Sequence, residues 1–350
     1  HLIWVMPAEG SGPKKDIFGK PQALFITCGF LFRGLFIMKV LITGGAGSVG
    51  SYLTASLLSR GHEVRILDKN VGPLEPIKDK NLTLIQGAVE DRNTVQSCIQ
   101  GVDAVIHMAW SFSEDPLEVL EQDLKGHIYI LEEAVSQKVK HFIYTSTAVV
   151  YGKPQYSPID ERHPLLVEEA RKPLYGIAKA ATEKLCLMYW KAKGLPTTIF
   201  RFWWAYGEEI GGRHLREMLK TASKGEPLEV PKDSGGSFLH MADFAQALEL
   251  SYFNPRTYGE TFNLSTVYVN WEEVAEMVRE ATGSHSEIKA IPREEWKGSA
   301  FLADPWELDD GKARGLLGYI PLEEASQAKA SLKRAIYNCW EAMGKAKERA

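Results

Sequence analysis

Short apolar runs alternate with longer amphipathic stretches along residues 39–205 of this 350-residue chain. The runs are β-rich and uninterrupted, as expected for strands that are buried on both faces of a sheet. The stretches between them repeat apolar residues at helical spacing. Strands that alternate with helices in this way predict an α/β fold built on a doubly wound parallel sheet.

The pattern predicts about seven strands, the last of which comes after a long gap. These strands are residues 40–42, 63–67, 82–86, 103–107, 141–145, 197–202 and 262–265. Long helices are predicted over 116–138 and from 175 for about 19 residues. After Tyr206 the pattern loosens, with a Pro/Gly-rich loop between helices near 213–223 and 242–252, a helix over 271–282 and a strand over 288–291. This part predicts a smaller, C-terminal mixed α/β lobe.

Three glycines follow the first predicted strand at a regular spacing. Gly44, Gly47 and Gly50 stand between that strand and a helical pattern that ends near Gly61. A strand, a glycine turn and a helix N-terminus form a site for a phosphate group, because free N–H groups and the helix dipole point at it. Asp68 ends the second predicted strand, where a carboxylate accepts hydrogen bonds from the ribose hydroxyls of a dinucleotide. Its charge would repel the extra phosphate of NADP, so NAD is the predicted cofactor of a Rossmann domain.

Composition and charge exclude several other classes. The net charge of −4 has no polybasic cluster, so no nucleic-acid partner is expected. The four cysteines lack paired spacing, which favours free thiols in a reducing, cytoplasmic compartment, and no metal-ligand spacing is present. Residues 23–37 are apolar but interrupted by Arg33, and they are short for a membrane span. Residues 1–37 are therefore predicted to be an extension outside the fold.

A phenol and an ammonium four residues apart are the candidate catalytic groups. Tyr175 and Lys179 fall on one face of a predicted helix. A phenol with a pKa near 10 is a poor base at neutral pH, and a neighbouring ammonium is expected to lower that pKa. Thr147 follows the fifth strand, 28 residues before the tyrosine, and its hydroxyl could bond the reacting substrate oxygen.

These motifs occur in an order that resembles the extended short-chain dehydrogenase/reductases, the NAD-dependent epimerase/dehydratase family. The motifs are Thr-Gly-Gly-Ala-Gly-Ser-Val-Gly at 43–50, His-Met-Ala at 107–109, Ser-Thr-Ala-Val-Val-Tyr-Gly at 146–152 and Tyr-Gly-Ile-Ala-Lys at 175–179. The resemblance covers about residues 38–325. It implies catalysis by Tyr175, Lys179 and Thr147 and a tightly held NAD. Predicted cofactor contacts are Gly44, Gly47, Ser48, Val49, Gly50, Asp68, Val89, His107, Ala109, Tyr175 and Lys179.

The resemblance also implies a division of the chain. Residues 38–205 are predicted to form the NAD-binding Rossmann domain, to which 238–266 return. Residues 206–237 and 267–350 are predicted to form the substrate-binding lobe. The apolar residues of helices 116–138 and 175–193 exceed one buried stripe, which predicts a homodimer, and the resemblance implies that these helices pair with their symmetry mates in a four-helix bundle.

Departures from the family pattern bear on the substrate. Ala88 stands where an adenine-bonding Asp is usual, and Asp123 where an Asn is common in the long helix. Ala148-Val149 replace the acidic pair of sugar-nucleotide dehydratases, which argues against elimination of water. Gly236-Ser237 replace an Arg-Asp pair whose Arg grips a substrate diphosphate in sugar-nucleotide epimerases. These departures favour a smaller polyol, sugar or hydroxy-acid substrate.

The predicted function is NAD-dependent oxidation of a secondary hydroxyl on a sugar or sugar-derived substrate. Release of the ketone would make a dehydrogenase, and its reduction from the other face would make an epimerase. The alternatives are a UDP-sugar epimerase with tightly bound NAD and a non-catalytic NAD(H)-binding regulator. Candidate substrate contacts are Trp110, Ser111, Lys153, Trp203, Tyr206, Arg213 and His214.

Overall fold

The computed structural model describes residues 37–348 of the chain. Its strands are β1 Lys39–Thr43, β2 Glu63–Asp68, β3 Leu82–Gln86, β4 Ala104–His107, β5 His141–Thr145, β6 Thr197–Arg201, β7 Trp204–Tyr206, β8 Leu228–Pro231, β9 Gly235–His240, β10 Glu260–Asn263, β11 Val267–Asn270, β12 Ile288–Ile291 and β13 Pro305–Trp306. Its α-helices are α1 Ser48–Ser59, α2 Arg92–Ile99, α3 Pro116–Glu118, α4 Lys125–Ser136, α5 Pro173–Lys193, α6 Arg213–Ser223, α7 Met241–Ser251, α8 Trp271–Thr282, α9 Gly311–Leu317 and α10 Ala325–Glu348. The sequence-predicted extension, apart from its last residue, lies outside the described residues.

The main sheet has seven parallel strands in the order β10-β6-β5-β4-β1-β2-β3. From β1 the strand order proceeds to β3 on one side and to β10 on the other, which is the doubly wound arrangement. The predicted fold class and strand number are therefore confirmed. Ligands of such sheets bind outside the carboxyl ends of the strands at the point where the order reverses, here between β1 and β4.

Both faces of this sheet are covered by apolar side chains. Val40 and Ile42 of β1 pack in a cluster with residues of α1 and α7. Leu41, which points to the opposite face, packs with residues of α2, α4 and α5. Burial on both faces explains why the strands are continuous apolar runs rather than alternating ones.

A second apolar cluster lies around β7, β8, β9 and β11, with α6, α8 and α10 packed against them. In this lobe β9 pairs with β7, β11 and β13, and β8 pairs with β12. The sequence predicted a loop where β8 and β9 are found, so that prediction is wrong. Gly235 and Gly236 suggested a loop, but the strand needs glycine at 236 because a Cβ there would come within 2.1 Å of the Trp203 ring.

The predicted helix over 116–138 is present in three pieces. Between α3 and α4 the segment Val119–Leu124 forms a π-helical stretch, a deformation that is frequent near functional sites. Asp123 lies in this segment and is buried. No helix among residues 37–348 is both long and apolar enough to cross a bilayer.

Candidate active site

A cavity of about 860 Å³ opens at the carboxyl edge of the main sheet. Its lining includes the glycine turn, Asp68 at the end of β2, and both Thr147 and Tyr175. Lys179 also lines it. The structure therefore brings the predicted phosphate site, ribose carboxylate and catalytic groups into one cavity of the size that small-molecule sites have.

The glycine turn packs directly against the end of β4. Gly44 has a φ of +69°, and a Cβ on it would meet the backbone of Ala109 at 2.8 Å. A Cβ on Gly50 would lie 2.6 Å from the carbonyl oxygen of Gly44. Ser48 and Val49 begin α1 and line the cavity. The first N–H groups of that helix have no intrahelical acceptor and are available to an anion.

Asp68 is held at the cavity wall by two backbone N–H groups. One carboxylate oxygen accepts from Ala46 N at 3.0 Å, and the other accepts from Asn70 N at 3.0 Å. Each oxygen keeps a further lone pair for a ligand hydroxyl. Next to it, the Lys69 ammonium lies 2.7 Å from Glu90 and 2.7 Å from the Gln122 side chain. The carboxylate of Asp68 is thus held in a fixed orientation in the cavity wall.

The candidate catalytic residues come from two neighbouring elements. Thr147 follows β5 and caps the short helix Ala148–Tyr151. Tyr175 and Lys179 lie one turn apart on α5, and a hydrogen bond with Thr147 favours the ionised form of the tyrosine. The Lys179 ammonium donates to the Thr145 carbonyl at 3.0 Å. A substrate hydroxyl placed beside Thr147 would therefore be within reach of the Tyr175 phenol.

Burial controls the charge of these groups. Burial raises the pKa of Tyr175 to about 12, more than the Thr147 bond lowers it. Burial lowers the pKa of Lys179 to about 7, although Asp123 and Glu183 favour its charged form. That Lys179 and the positive nicotinamide ring of bound NAD together lower the pKa of the tyrosine stays a prediction. The Lys179 nitrogen lies 6.0 Å from the centre of the Tyr175 ring.

Two further polar groups surround Lys179. Asp123 accepts from Ser111 N at 2.7 Å and from its hydroxyl at 2.6 Å, and burial raises the pKa of this carboxyl. Glu183, one turn after Lys179, forms a buried bidentate pair with Arg201 of β6. Sequence reasoning noted Asp123 only as a departure from the family pattern and missed the ion pair. The position of Asp123 beside Lys179 and the Glu183–Arg201 ion pair both depend on contacts between segments that are far apart in the sequence.

The structure separates the predicted cofactor contacts into two groups. Val89 and Ala109 line the cavity with the glycine turn. His107 does not line it, since its ring is buried and its Nδ1 lies 2.6 Å from the Thr43 hydroxyl. That hydroxyl also accepts from the N–H groups of Met108 and Ala109, each at 3.2 Å. His107 therefore supports the turn that carries Ala109, as a neutral ring whose pKa burial holds well below its usual value.

The predicted substrate contacts divide in the same way. Trp110, Ser111 and Trp203 line the cavity, and so do Phe112 and Phe202, which sequence reasoning did not select. Tyr206 is fully buried and donates to the carbonyl of Ala328 at 3.2 Å, so it is a packing residue of the second lobe. Three predicted contacts do not line the cavity. Lys153 is exposed, and Arg213 is exposed and pairs with Glu217. His214 packs edge-on against Trp271.

The donor set of the cavity fits a dinucleotide. The helix N-terminus after Gly47 suits the diphosphate, Asp68 suits the adenosine ribose, and Tyr175 with Lys179 suits the nicotinamide end. These three groups line one continuous cavity. The residues present therefore match the cofactor that the sequence predicts.

Comparisons with known proteins agree with this geometry. Residues 40–265 match the model of the NAD-dependent epimerase/dehydratase family. A UDP-N-acetyl-alpha-D-glucosaminuronate decarboxylase of Bacillus cytotoxicus is 31% identical over 273 residues, covering 73% of this chain and 84% of the relative. A UDP-glucose 4-epimerase of Halalkalibacterium halodurans is 27% identical, covering 81% of this chain and 91% of the relative.

A solved structure leads to the same conclusion. The Bordetella bronchiseptica enzyme WbmG, determined in complex with NAD, superposes with a TM-score of 0.72 and 26% identity. The match covers 87% of this chain and 95% of WbmG. The fold, the enzyme class and the NAD cofactor predicted from the sequence are confirmed, and the chain belongs to the NAD-dependent epimerase/dehydratase family.

Proposed function

We propose that this enzyme oxidises a secondary hydroxyl of a sugar or sugar-derived substrate, with NAD as the hydride acceptor. The observation that carries the proposal is the meeting of Thr147, Tyr175 and Lys179 in the cavity that holds the glycine turn and Asp68. The family and the carbohydrate enzymes among its relatives support the substrate class.

Each catalytic residue has a distinct role in this proposal. Tyr175 removes the proton from the substrate hydroxyl and returns it when the reaction runs backwards. Thr147 donates a hydrogen bond that fixes the reacting oxygen next to the phenol. Lys179 supplies a buried positive charge and a donor for the cofactor ribose. Bound NAD supplies the hydride acceptor and a cationic ring that would favour the phenolate of Tyr175.

The residues that follow Thr147 argue against elimination of water. A sugar-nucleotide dehydratase needs an acid and a base there to move the additional protons. This chain has Ala148, which is fully buried, and Val149. Dehydrogenase and epimerase remain the two outcomes of the same oxidation step. A non-catalytic NAD(H)-binding regulator would have no need of Thr147, Tyr175 and Lys179 together.

A sugar-nucleotide epimerase is the second candidate, because relatives carry that name. Against it stands the position of Trp203, whose ring lies on the backbone of Gly236. Trp203 also packs on Phe238, Trp271 and Phe301, with ring centres 5.3, 5.9 and 6.0 Å apart. The Trp203 ring occupies the side-chain space at position 236, and its packing favours a compact substrate without a nucleotide diphosphate.

A substrate panel tests the function and its alternatives. The purified protein is incubated with NAD and with sugars, sugar acids, polyols and UDP-sugars, and both NADH and isomers are measured. We expect NADH or isomer from an unphosphorylated substrate. NADH formation identifies a dehydrogenase, and isomer formation without NADH identifies an epimerase. Absence of turnover together with tight NAD binding would support the regulator and contradict the proposal.

The second candidate has its own measurement. UDP is titrated into the NAD-loaded protein, and its affinity is measured by calorimetry. If the substrate is compact, we expect UDP to bind with a Kd of about 1 mM or weaker. This Kd corresponds to a binding free energy of only about 4 kcal/mol. A micromolar affinity for UDP would instead support the sugar-nucleotide epimerase.

We also infer a homodimer that forms through helices α3–α4 and α5. These helices expose large apolar side chains: Leu117, Leu120, Ile128, Ile177 and Met188. A second copy could bury this surface and form a four-helix bundle. A cytoplasmic location is inferred from the free thiols of Cys98, Cys186 and Cys339, which are buried and unbridged; Cys28 lies outside the described residues.

A further inference from the structure

Phe112 stands out at the mouth of the cavity. Its side chain is 69% exposed, although it lines the cavity beside the candidate catalytic tyrosine. Its ring centre lies 5.9 Å from that of Tyr175, with the two planes 26° apart. Its backbone has a φ of +56°, in the left-handed region that non-glycine residues rarely adopt. The chain thus holds a large apolar ring in an unfavourable conformation, mostly in water.

Polar contacts on both sides keep this conformation in place. Ser111 is bonded through its N–H and hydroxyl to Asp123, at 2.7 and 2.6 Å. Ser113 N donates to the Ser111 hydroxyl at 3.1 Å, and the Ser113 hydroxyl donates to Glu118 at 2.7 Å. These bonds fix the residues on either side of Phe112, so the backbone at 112 cannot relax by itself.

The same loop is tied to the catalytic helix. Glu114 lies 2.8 Å from the ammonium of Lys172, the residue before α5. Asp115 caps α3 by accepting from Leu117 N at 2.7 Å. The loop is therefore attached to the elements that carry Asp123 and Tyr175. Strain that persists under such restraint is a feature of ligand-binding sites.

The other walls near Tyr175 suggest what Phe112 contacts. Trp110 meets the Tyr175 ring edge-on, with centres 5.8 Å apart, and Trp203 also lines the cavity. Aromatic walls of this kind bind ligands that present a flat apolar face. A sugar ring offers such a face through its axial C–H groups and keeps its hydroxyls for Thr147 and Tyr175 at the edge.

We propose that Phe112 is a specificity-determining residue that stacks on the ring face of the substrate and selects a cyclic sugar over an open-chain polyol. The inference rests on the proposed function and names the form of its substrate. Ligand binding would cover the exposed ring and offset the unfavourable backbone conformation.

Matched variants separate the ring from the backbone. Phe112→Gly removes both the side chain and the left-handed strain, whereas Phe112→Leu keeps apolar bulk and loses the flat face. Lys138→Gly is the control, because Lys138 is exposed, has a φ of +54° and does not line the cavity. Both glycine variants are expected to fold with an unchanged or higher Tm, since both relieve a positive φ.

Kinetics with the substrate found in the panel give the first readout. Loss of a stacking contact predicts a KM roughly tenfold higher in Phe112→Gly and Phe112→Leu. The kcat and the Kd for NAD are expected to stay within about threefold of the parent. Lys138→Gly should leave all three unchanged. A KM within about twofold of the parent in Phe112→Gly, or an equal loss of NAD affinity, overturns the inference.

Binding to the NAD-loaded protein gives a second readout that does not require turnover. Methyl β-D-galactopyranoside and galactitol are compared as ring and open-chain probes by the rise they cause in Tm. We expect the pyranoside to stabilise the parent more than the polyol, and this difference to vanish in Phe112→Gly. Equal effects of the two probes, or none from either, overturn the inference. An absence of turnover in the panel would instead contradict the proposed function.

Sedimentation of Phe112→Gly completes the test. An exposed ring could also lie in a contact between copies of the chain. The substrate role predicts a sedimentation coefficient equal to that of the parent. Conversion to a slower species would assign Phe112 to a protein interface and overturn the inference.

Discussion

The ammonium of Lys179 lies 4.1 Å from the centre of the Trp110 ring, closer than to the ring of Tyr175. The face of an aromatic ring attracts a cation, and at a desolvated site the contact contributes about 2 kcal/mol. The indole therefore helps a buried lysine, whose pKa burial lowers to about 7, to keep its proton. Trp110 is placed to determine how much of Lys179 is charged at neutral pH.

Trp110→Leu is expected to shift the pH dependence of turnover. Without the ring face the ammonium is less stable, so the pKa of Lys179 falls by about 1.5 units. Activity that needs the charged lysine is lost above this pKa, and the alkaline limb of the pH–rate profile moves to lower pH. Trp110→Phe keeps a ring face and should keep the limb in place. An unshifted limb in Trp110→Leu would contradict the role given to the indole.

Tyr175→Phe removes one oxygen and leaves the packing almost unchanged. NAD binding and the Tm are expected to survive, while turnover falls roughly a hundredfold or more, as for other positioned acid–base groups. Thr147→Val should lower turnover less, because one neutral hydrogen bond is lost. Tyr156→Phe, at an exposed tyrosine, is the control. Near-normal turnover in Tyr175→Phe would refute the proposed mechanism.

Asp68 is expected to determine the choice between NAD and NADP. Its carboxylate would meet the additional phosphate of NADP, so NAD should bind at least about tenfold more tightly. Asp68→Asn removes the charge and should reduce this preference. Fluorescence titration with both nucleotides measures it, and Glu75→Gln, an exposed change outside the cavity, is the control. Equal affinities in the parent would exclude this role for Asp68.

A substitution that introduces a charge on the exposed face of α5 tests the prediction of a dimer. Met188→Glu on α5 places a carboxylate on a surface that a second copy would bury, and we expect the dimer to dissociate at micromolar concentration. Tyr337→Glu changes a side chain of similar exposure on α10, outside that face. Sedimentation measures both. A parent protein that is monomeric at this concentration would rule the dimer out.

Two buried histidines predict a loss of stability in acid. Burial lowers the pKa of His127 and of His141 to about 3, against 6.5 for the free side chain. Below pH 6.5 the unfolded chain takes up protons that the folded chain does not, so stability falls as the pH drops from 6.5 towards 3. Each histidine contributes a slope of about 1.4 kcal/mol per pH unit in that range.

Urea unfolding between pH 7 and 4.5 measures this slope. His141→Gln removes one of the buried titrating groups and should lower the slope by about 1.4 kcal/mol per pH unit. His285, whose side chain is exposed, provides the control as His285→Gln. A stability that does not change over this range would contradict the buried neutral state of both rings.

The parts of the fold that local sequence determines were predictable. Strands buried on both faces give continuous apolar runs, and the glycine turn is fixed by the close approach of Gly44 to Ala109. The second lobe was harder to predict. Its strands β7, β8, β9 and β11 are three to six residues long. In β9 the backbone of β11 covers Gly235 and the Trp203 ring covers Gly236. Short strands with such residues have no clear periodicity.

The candidate residues that meet in the cavity could be selected from the sequence, but their charge states could not. Tyr175 and Lys179 fall on one helix face from spacing alone. Their pKa values depend on burial, on Trp110 and on Asp123, which other segments bring to the site. The sequence did not indicate the role proposed for Phe112, because that role depends on its backbone conformation and on its stacking contact with Tyr175.

The last strand of the main sheet has a practical consequence for protein engineering. The chain leaves the sheet after Arg201 and returns with β10, whose Asn263 accepts the Tyr151 hydroxyl at 2.6 Å. A fragment cut after residue 205 would leave the hydrogen-bonding edge of β6 open to other chains, which is a cause of aggregation. Grafting a different substrate lobe onto this enzyme therefore needs three junctions, two that flank the excursion between β6 and β10 and one that follows β10, with β10 retained.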